Sequence, residues 1–142
     1  MSDLNSKSPD SHDLRVTLEP VAKEHAPVLR NLYQLYAHDF TEHVRFPISP
    51  TGLFDVAPSE DWWTADGHSP FFIRSQGELA GFALVRRGSR VTADPDVMDI
   101  AEFFVLRGLR KNGIGAAAAR ALFTTFGGRW DIRVRATNVA TY

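Results

Sequence analysis

The chain has 142 residues, of which 44% are apolar and 23% charged, with a formal net charge of −1. This length and balance describe one domain with a real core and argue against global disorder. The near-neutral charge leaves no footprint for bulk nucleic-acid binding, and the absence of cysteine excludes disulfides, thiolate metal sites and a cysteine nucleophile.

Met1 to Asp13 is polar, carries Pro9 and reads as a loose tail, which leaves 14–142 as a single domain. Leu14 to Leu18 alternates apolar and polar residues, the pattern of a strand with one buried face, and Glu19-Pro20 is expected to end it. Lys23 to Phe40 reads as a helix. Pro27 suits its first turn, and Val28, Leu29, Leu32, Leu35, Tyr36 and Phe40 form an apolar stripe. Asp39, Glu42 and His43 gather at its far end. Phe46 to Asp66 is irregular, with a short helical piece expected around Asp61-Trp62-Trp63. The two tryptophans are either a lid of apolar bulk over the core or an aromatic pocket wall.

Pro70 to Ser75 and Leu79 to Arg86 are two strands joined at Gln76-Gly77-Glu78, where glycine supplies the positive φ of a tight turn. Val97 to Leu106 is the next strand. Gly115 to Phe126 is an alanine-rich helix closed by Gly127-Gly128. The small residues 116–119 would let it lie close to a sheet. Trp130 to Ala136 alternates with period two; reached through a helix, it should pair parallel to the strand before it. The order β-α-(loop)-β-β-β-α-β implies an α/β or α+β domain, a mixed sheet with helices on both faces.

The five histidines are scattered and form no His-x-x-x-His pair, so no metal site is expected. No apolar run approaches the ~20 residues that cross a bilayer, and the first residues have no apolar signal core. The expectation is a soluble, cytoplasmic protein with no membrane or nucleic-acid partner.

The chemistry concentrates between Asp99 and Gly115. A buried strand feeds a helix through Arg110, Lys111, Asn112, Gly113, Ile114 and Gly115. Unpaired N–H groups at a helix start, glycines that admit close approach and the helix dipole together favour an anion. The spacing differs from the dinucleotide Gly-x-Gly-x-x-Gly and lacks a Walker Gly-Lys-Ser/Thr ending. It fits a short pyrophosphate cradle of main-chain N–H groups, or a helix start packed tightly on a strand. Glu102 lies inside the apolar run, where an unpaired carboxylate is costly and burial would raise its pKa. A base tuned in that way could deprotonate an ammonium substrate. Its bland alternatives are a solvent-facing carboxylate, or one paired with Arg107 or Arg133. Asp99 is a second candidate, three residues earlier and on the opposite face of a regular strand.

Arg110, Gly113 and Gly115 resemble the Arg/Gln-x-x-Gly-x-Gly/Ala acetyl-CoA motif of the GNAT superfamily of N-acetyltransferases. Glu102-Phe-Phe-Val105 is similar to the family's fourth strand, and Glu78 to Val85 to its third. The helix ending Leu35 to Phe40 resembles small bacterial predicted acetyltransferases of the group. The resemblance covers 14–142. It implies a mostly antiparallel twisted sheet and direct acetyl transfer from acetyl-CoA to a primary amine, with no metal. It also implies pyrophosphate contacts from 110–115, pantetheine contacts from the backbone of Phe104 and Val105, and Glu102 as general base, commonly through water. A backbone N–H would polarise the thioester, so no protein nucleophile is needed. Asn138 and Ala140 resemble the family's Asn-x-x-Ala helix start with shortened spacing, placing Asn138 at the cofactor. Tyr142 would stand in for the tyrosine that protonates the leaving thiolate.

The family's closing strands have no counterpart here, so the strand at 130–136 is expected to be an exposed edge. Three outcomes follow: weak or absent activity, completion of the sheet by a second copy in a homo-oligomer, or a domain that binds acyl-CoA without turnover. An unrelated phosphate-binding module is a further reading. The acceptor, an amine-bearing small molecule or a peptide, is expected near Tyr36, Asp39, Glu42, Trp62 and Trp63, where acidic and aromatic groups suit a cation.

Overall fold

The computed structural model describes residues 15–88 and 94–132. Five strands lie in sequence order in one sheet: β1 (Val16–Pro20), β2 (His68–Ser75), β3 (Glu78–Arg87), β4 (Val97–Val105) and β5 (Arg129–Ile132). The first four are joined antiparallel, and β5 runs parallel to β4. The parallel pair is the one the intervening helix requires. The helices are α1 (Ala26–Phe40), the single turn α2 (Asp61–Thr64) and α3 (Ile114–Phe126).

Two boundaries differ from the sequence expectation. β1 continues through Glu19 and Pro20, which pair with Phe72 and Phe71. Proline is tolerated because β1 is the outer strand, and Arg74 Nε donates to Glu19 Oε1 across the pair at 2.7 Å. The first helical residues, Lys23–His25, form a 3-10 turn before α1. Of the residues expected for β5, those beyond Ile132 lie outside the described residues, as do the tail, Asn138 and Tyr142.

Alternation along the strands sends side chains to two cores. On one face Phe71, Ile73, Ala83 and Val85 meet Ile114, Ala118 and Leu122 of α3. On the other, Phe72, Phe82, Leu84 and Phe104 meet Leu29, Leu32 and Tyr36 of α1. Only part of the predicted α1 stripe is inside: Val28 and Leu35 are 38% and 48% exposed. The buried face instead follows Ala26, Leu29, Leu32 and Tyr36, the three- and four-residue steps of one helical side. Trp62 of α2 joins this core, edge-on to His68 at 4.7 Å.

The β2–β3 connection has positive φ at Gln76 (53°) and Gly77 (83°), the twist of a two-residue hairpin turn. Gly81 on β3 has a different reason. A Cβ there would overlap the Phe104 carbonyl oxygen, and would lie 2.9 Å from the Phe104 carbonyl carbon and 3.0 Å from Val105 Cα. Because the obstacle is backbone, it cannot rotate away. Gly81→Ala is expected to cost about 2 kcal/mol by overpacking; a urea melt with unchanged midpoint would contradict this close approach of β3 and β4.

Candidate functional site

The site is built on an irregularity in β4. In the β3–β4 ladder Leu84 pairs with Glu102, but the next residue, Val85, pairs with Ile100. Ala101 is therefore an inserted residue, a β-bulge. A regular strand would place Asp99 and Glu102 on opposite faces; the bulge puts both on the α1 side, which corrects the sequence expectation. Asp99 is fully buried and accepts a 3.0 Å hydrogen bond from Arg86 Nε. The Arg86 guanidinium also sits 6.0 Å from the centre of the Trp62 ring. Asp99 is thus part of a buried ion pair.

Glu102 is half-buried and faces α1. It receives hydrogen bonds from the Tyr36 hydroxyl at Oε1 and from the Tyr33 hydroxyl at Oε2, the latter at 3.4 Å. The two tyrosines are three residues apart and so share a helix face. Tyr33 stacks on Phe82 at 5.7 Å, and Tyr36 packs edge-on against Phe40 at 4.8 Å and Phe104 at 5.7 Å. Sequence reasoning singled out Tyr36 and passed over Tyr33, although the Tyr-x-x-Tyr spacing was a usable signal.

A cleft of ≈ 220 Å³ opens over this carboxylate. Tyr33, Tyr36, Ala37 and Phe40 of α1 form one side, and Val44, Phe46 and Val56 of the following segment form another. Gln34 ties that segment to α1. Its Oε1 accepts from the Phe54 N–H at 2.8 Å, and its Nε2 donates to the Phe54 carbonyl at 2.9 Å. A surface loop would have no reason to hold its aromatic side inward without such a pair of backbone bonds.

Of the expected acceptor-site residues, Tyr36 meets the expected base Glu102 in the cleft, whereas Asp39, Glu42, Trp62 and Trp63 are not among its described lining. Trp62 is a core side chain, and Trp63 Nε1 donates to the Val21 carbonyl at 2.9 Å. Asp39 accepts from Arg107 at 2.8 Å and from Arg110, which also donates to the Val105 carbonyl at 2.8 Å. The Arg110 guanidinium lies 5.6 Å from the Phe104 ring centre. Glu42 stands 3.9 Å from Arg107, so Arg107 serves this acidic pair rather than Glu102. Two carboxylates at a helix C-terminus oppose its dipole, and the arginines offset this.

Beyond β4 the chain makes a 3-10 turn, Arg107–Leu109, and then enters α3. Lys111 and Gly113 both have positive φ, 68° and 83°, and no side chain caps the helix. Lys111 and Asn112 are exposed, while Ile114 and Gly115 are buried against the sheet. The opening N–H groups of α3 lack intrahelical acceptors, as at any helix start. The turn therefore offers main-chain donors of the kind that bind anions. Phe104 and Val105, at this end of β4, are buried, 2% and 1% exposed. The β4–β5 ladder covers Val97 to Ile100, leaving 101–105 beyond it among the described residues. No group of residues suited to hold a metal occurs among the described residues, and no helix there is long and apolar enough to cross a membrane.

The same architecture occurs in solved acetyltransferases. An aminoglycoside acetyltransferase from an uncultured soil metagenomic sample, in complex with sisomicin, is 14% identical. It aligns over 92% of this chain and 84% of its own, with a TM-score of 0.59. A ribosomal-protein-alanine N-acetyltransferase from Brucella melitensis is 18% identical over 87% and 83% of the two chains, with a TM-score of 0.58. The aminoglycoside N-acetyltransferase AAC(6')-Iy, in complex with CoA, is 21% identical over 89% and 81%, with a TM-score of 0.56. No curated protein matches the sequence. The acetyltransferase (GNAT) family matches residues 29–141. On that match, which takes in most of α1, the bulged β4 and the glycine turn before α3, the chain belongs to the GNAT family of acetyltransferases.

Proposed function

We propose that the protein is an acetyl-CoA-dependent N-acetyltransferase acting on a primary amine. One juxtaposition carries the reading. Glu102 faces an aromatic cleft from the same strand whose end leads into the uncapped start of α3. An anion held at that helix start and a cation held at Glu102 would flank β4. Acetyl-CoA would supply a thioester whose acyl group an amine can take directly.

The residues present fit that ligand. The main-chain N–H groups from Lys111 to Gly115 form the pyrophosphate cradle, with Gly113 in a conformation that L side chains resist. Arg110 shapes the turn from behind, because Asp39 and the Val105 carbonyl hold its guanidinium. The backbone of Phe104 and Val105 offers the pantetheine arm its pairing edge. Glu102 accepts the proton of the substrate ammonium, directly or through water, while Tyr33 and Tyr36 fix its orientation. Asn138 and Tyr142, with proposed roles at the cofactor and the leaving thiolate, lie outside the described residues. The similar folds include enzymes named for aminoglycoside and ribosomal-protein alanine acceptors, which supports an amine as acceptor class.

Calorimetry and thiol release test this. Acetyl-CoA is expected to bind in the usual substrate range of about 1 μM to 1 mM, and ATP about tenfold or more weakly, since one tenth of the affinity is 1.4 kcal/mol of pantetheine contact. Equal affinities would reduce the site to a general phosphate binder. Thiol release should depend on added amine; binding without it would identify a non-catalytic acyl-CoA domain.

A further inference from the structure

The cleft's charge inventory narrows the acceptor. We infer that it takes a monoamine whose ammonium is carried on an aromatic or aliphatic arm, and that it discriminates against polyamines and aminoglycosides. The inference rests on the cleft being the acceptor site of the proposed reaction.

Glu102 is the only charged residue among the described lining. Of the other acidic groups nearby in sequence, Asp39 is paired to Arg107 and Arg110, Glu42 stands beside Arg107, and Asp55 is exposed and not among the described lining. A second or third ammonium held inside the cleft would therefore face aromatic and aliphatic side chains. Desolvating an ammonium without a partner is costly, so this works as selection against such substrates. One ammonium is well served. A carboxylate has about four acceptor positions, and the hydroxyls of Tyr33 and Tyr36 take two of them. The tyrosine rings add cation–π attraction.

The remaining walls call for an apolar arm. Phe40, Val44, Phe46 and Val56 present hydrocarbon, and the ≈ 220 Å³ of the cleft falls below the roughly 300–1,000 Å³ of drug-sized sites. That is room for a ring and a short chain inside the cleft. The enzymes of similar fold solved with aminoglycoside ligands share the architecture at 14% and 18% identity, a level that transmits the fold and not the pocket chemistry.

The test uses the full chain, with 2-phenylethylamine, ethylamine, spermidine and sisomicin as probes. Calorimetry measures amine binding with and without CoA, and thiol release measures turnover. 2-Phenylethylamine is expected to exceed each of the other three by about tenfold or more in kcat/KM and in affinity, the discrimination an apolar pocket provides for a hydrocarbon group. Binding of 2-phenylethylamine with that preference but without thiol release would remove the transferase reading and leave the selectivity standing. Equal or tighter binding of spermidine or sisomicin, or no 2-phenylethylamine binding in either condition, overturns the selectivity. The variant Val44→Asp adds a second carboxylate at a lining position that is 56% exposed, so folding is preserved. It should raise spermidine kcat/KM relative to 2-phenylethylamine by roughly threefold to fivefold, the range of an exposed ion pair. An unchanged ratio would show that charge count at the cleft does not set the preference.

Discussion

Glu102→Gln is expected to lower kcat for amine acetylation by about 10²–10⁴-fold, the usual contribution of a positioned base, while acetyl-CoA affinity stays the same. Glutamine has the shape of glutamate and can still accept from one tyrosine hydroxyl, so α1 should remain docked. What it loses is the capacity to take a proton. The pH profile separates this role from a structural one. An alkylammonium titrates near the lysine value of about 10.4, so the fraction of substrate already deprotonated rises tenfold per pH unit below it. The variant's rate should climb with that fraction between pH 7 and 9, and the gap to wild type should narrow. A constant gap across this range would show that Glu102 positions the amine without receiving its proton. A rise in KM with kcat unchanged would assign it to uniform binding.

The sequence was readable wherever local chemistry decides. Period-two alternation marked β1 and β5, a short apolar run β4, Gln76-Gly77 the hairpin turn, and the glycine pair at 127–128 the end of α3. A strand, a helix and a strand in succession implied the parallel β4–β5 pair, and the family resemblance supplied the antiparallel remainder of the sheet. Elements near the glycine turn were legible because a positive φ at Gly113 leaves a residue-level trace.

The site was less legible, because its geometry is decided by contacts between distant residues. Ala101 is an ordinary apolar residue in an apolar strand, and nothing about it announces a bulge. Only its β3 partners show that one residue is extra, and that single insertion moves Asp99 onto the face of Glu102. Asp39 looked available beside the aromatics of α1, yet two arginines about 70 positions later claim it. Trp62 illustrates the opposite ambiguity, since core and pocket walls draw on the same aromatic residues. Its contact with His68 and its place under Arg86 resolve it as core. Tyr33 gained its role only through its contact with Glu102, 69 positions away.

Gly113→Asp is expected to weaken acetyl-CoA binding by about 100-fold or more, through two separable effects. The first is strain: Gly113 has φ 83°, and a side chain in the left-handed region costs roughly 1–2 kcal/mol. The second is charge. A carboxylate at the N-cap of α3 would occupy the field that favours the pyrophosphate, turning attraction into repulsion at close range. Gly113→Asn isolates the first effect, because asparagine has nearly the same shape, carries no charge and tolerates positive φ. Calorimetry should therefore rank the affinities wild type, then asparagine within about tenfold, then aspartate. The aspartate deficit should shrink as salt is raised, since charge is screened and strain is not. If aspartate and asparagine bind alike, strain alone governs the turn and the anion lies elsewhere. If both bind as wild type does, α3 does not hold the pyrophosphate. The outcome bears on Glu102 as well, because an amine at that carboxylate meets an acyl group only if the cofactor is anchored at the other end of the same strand.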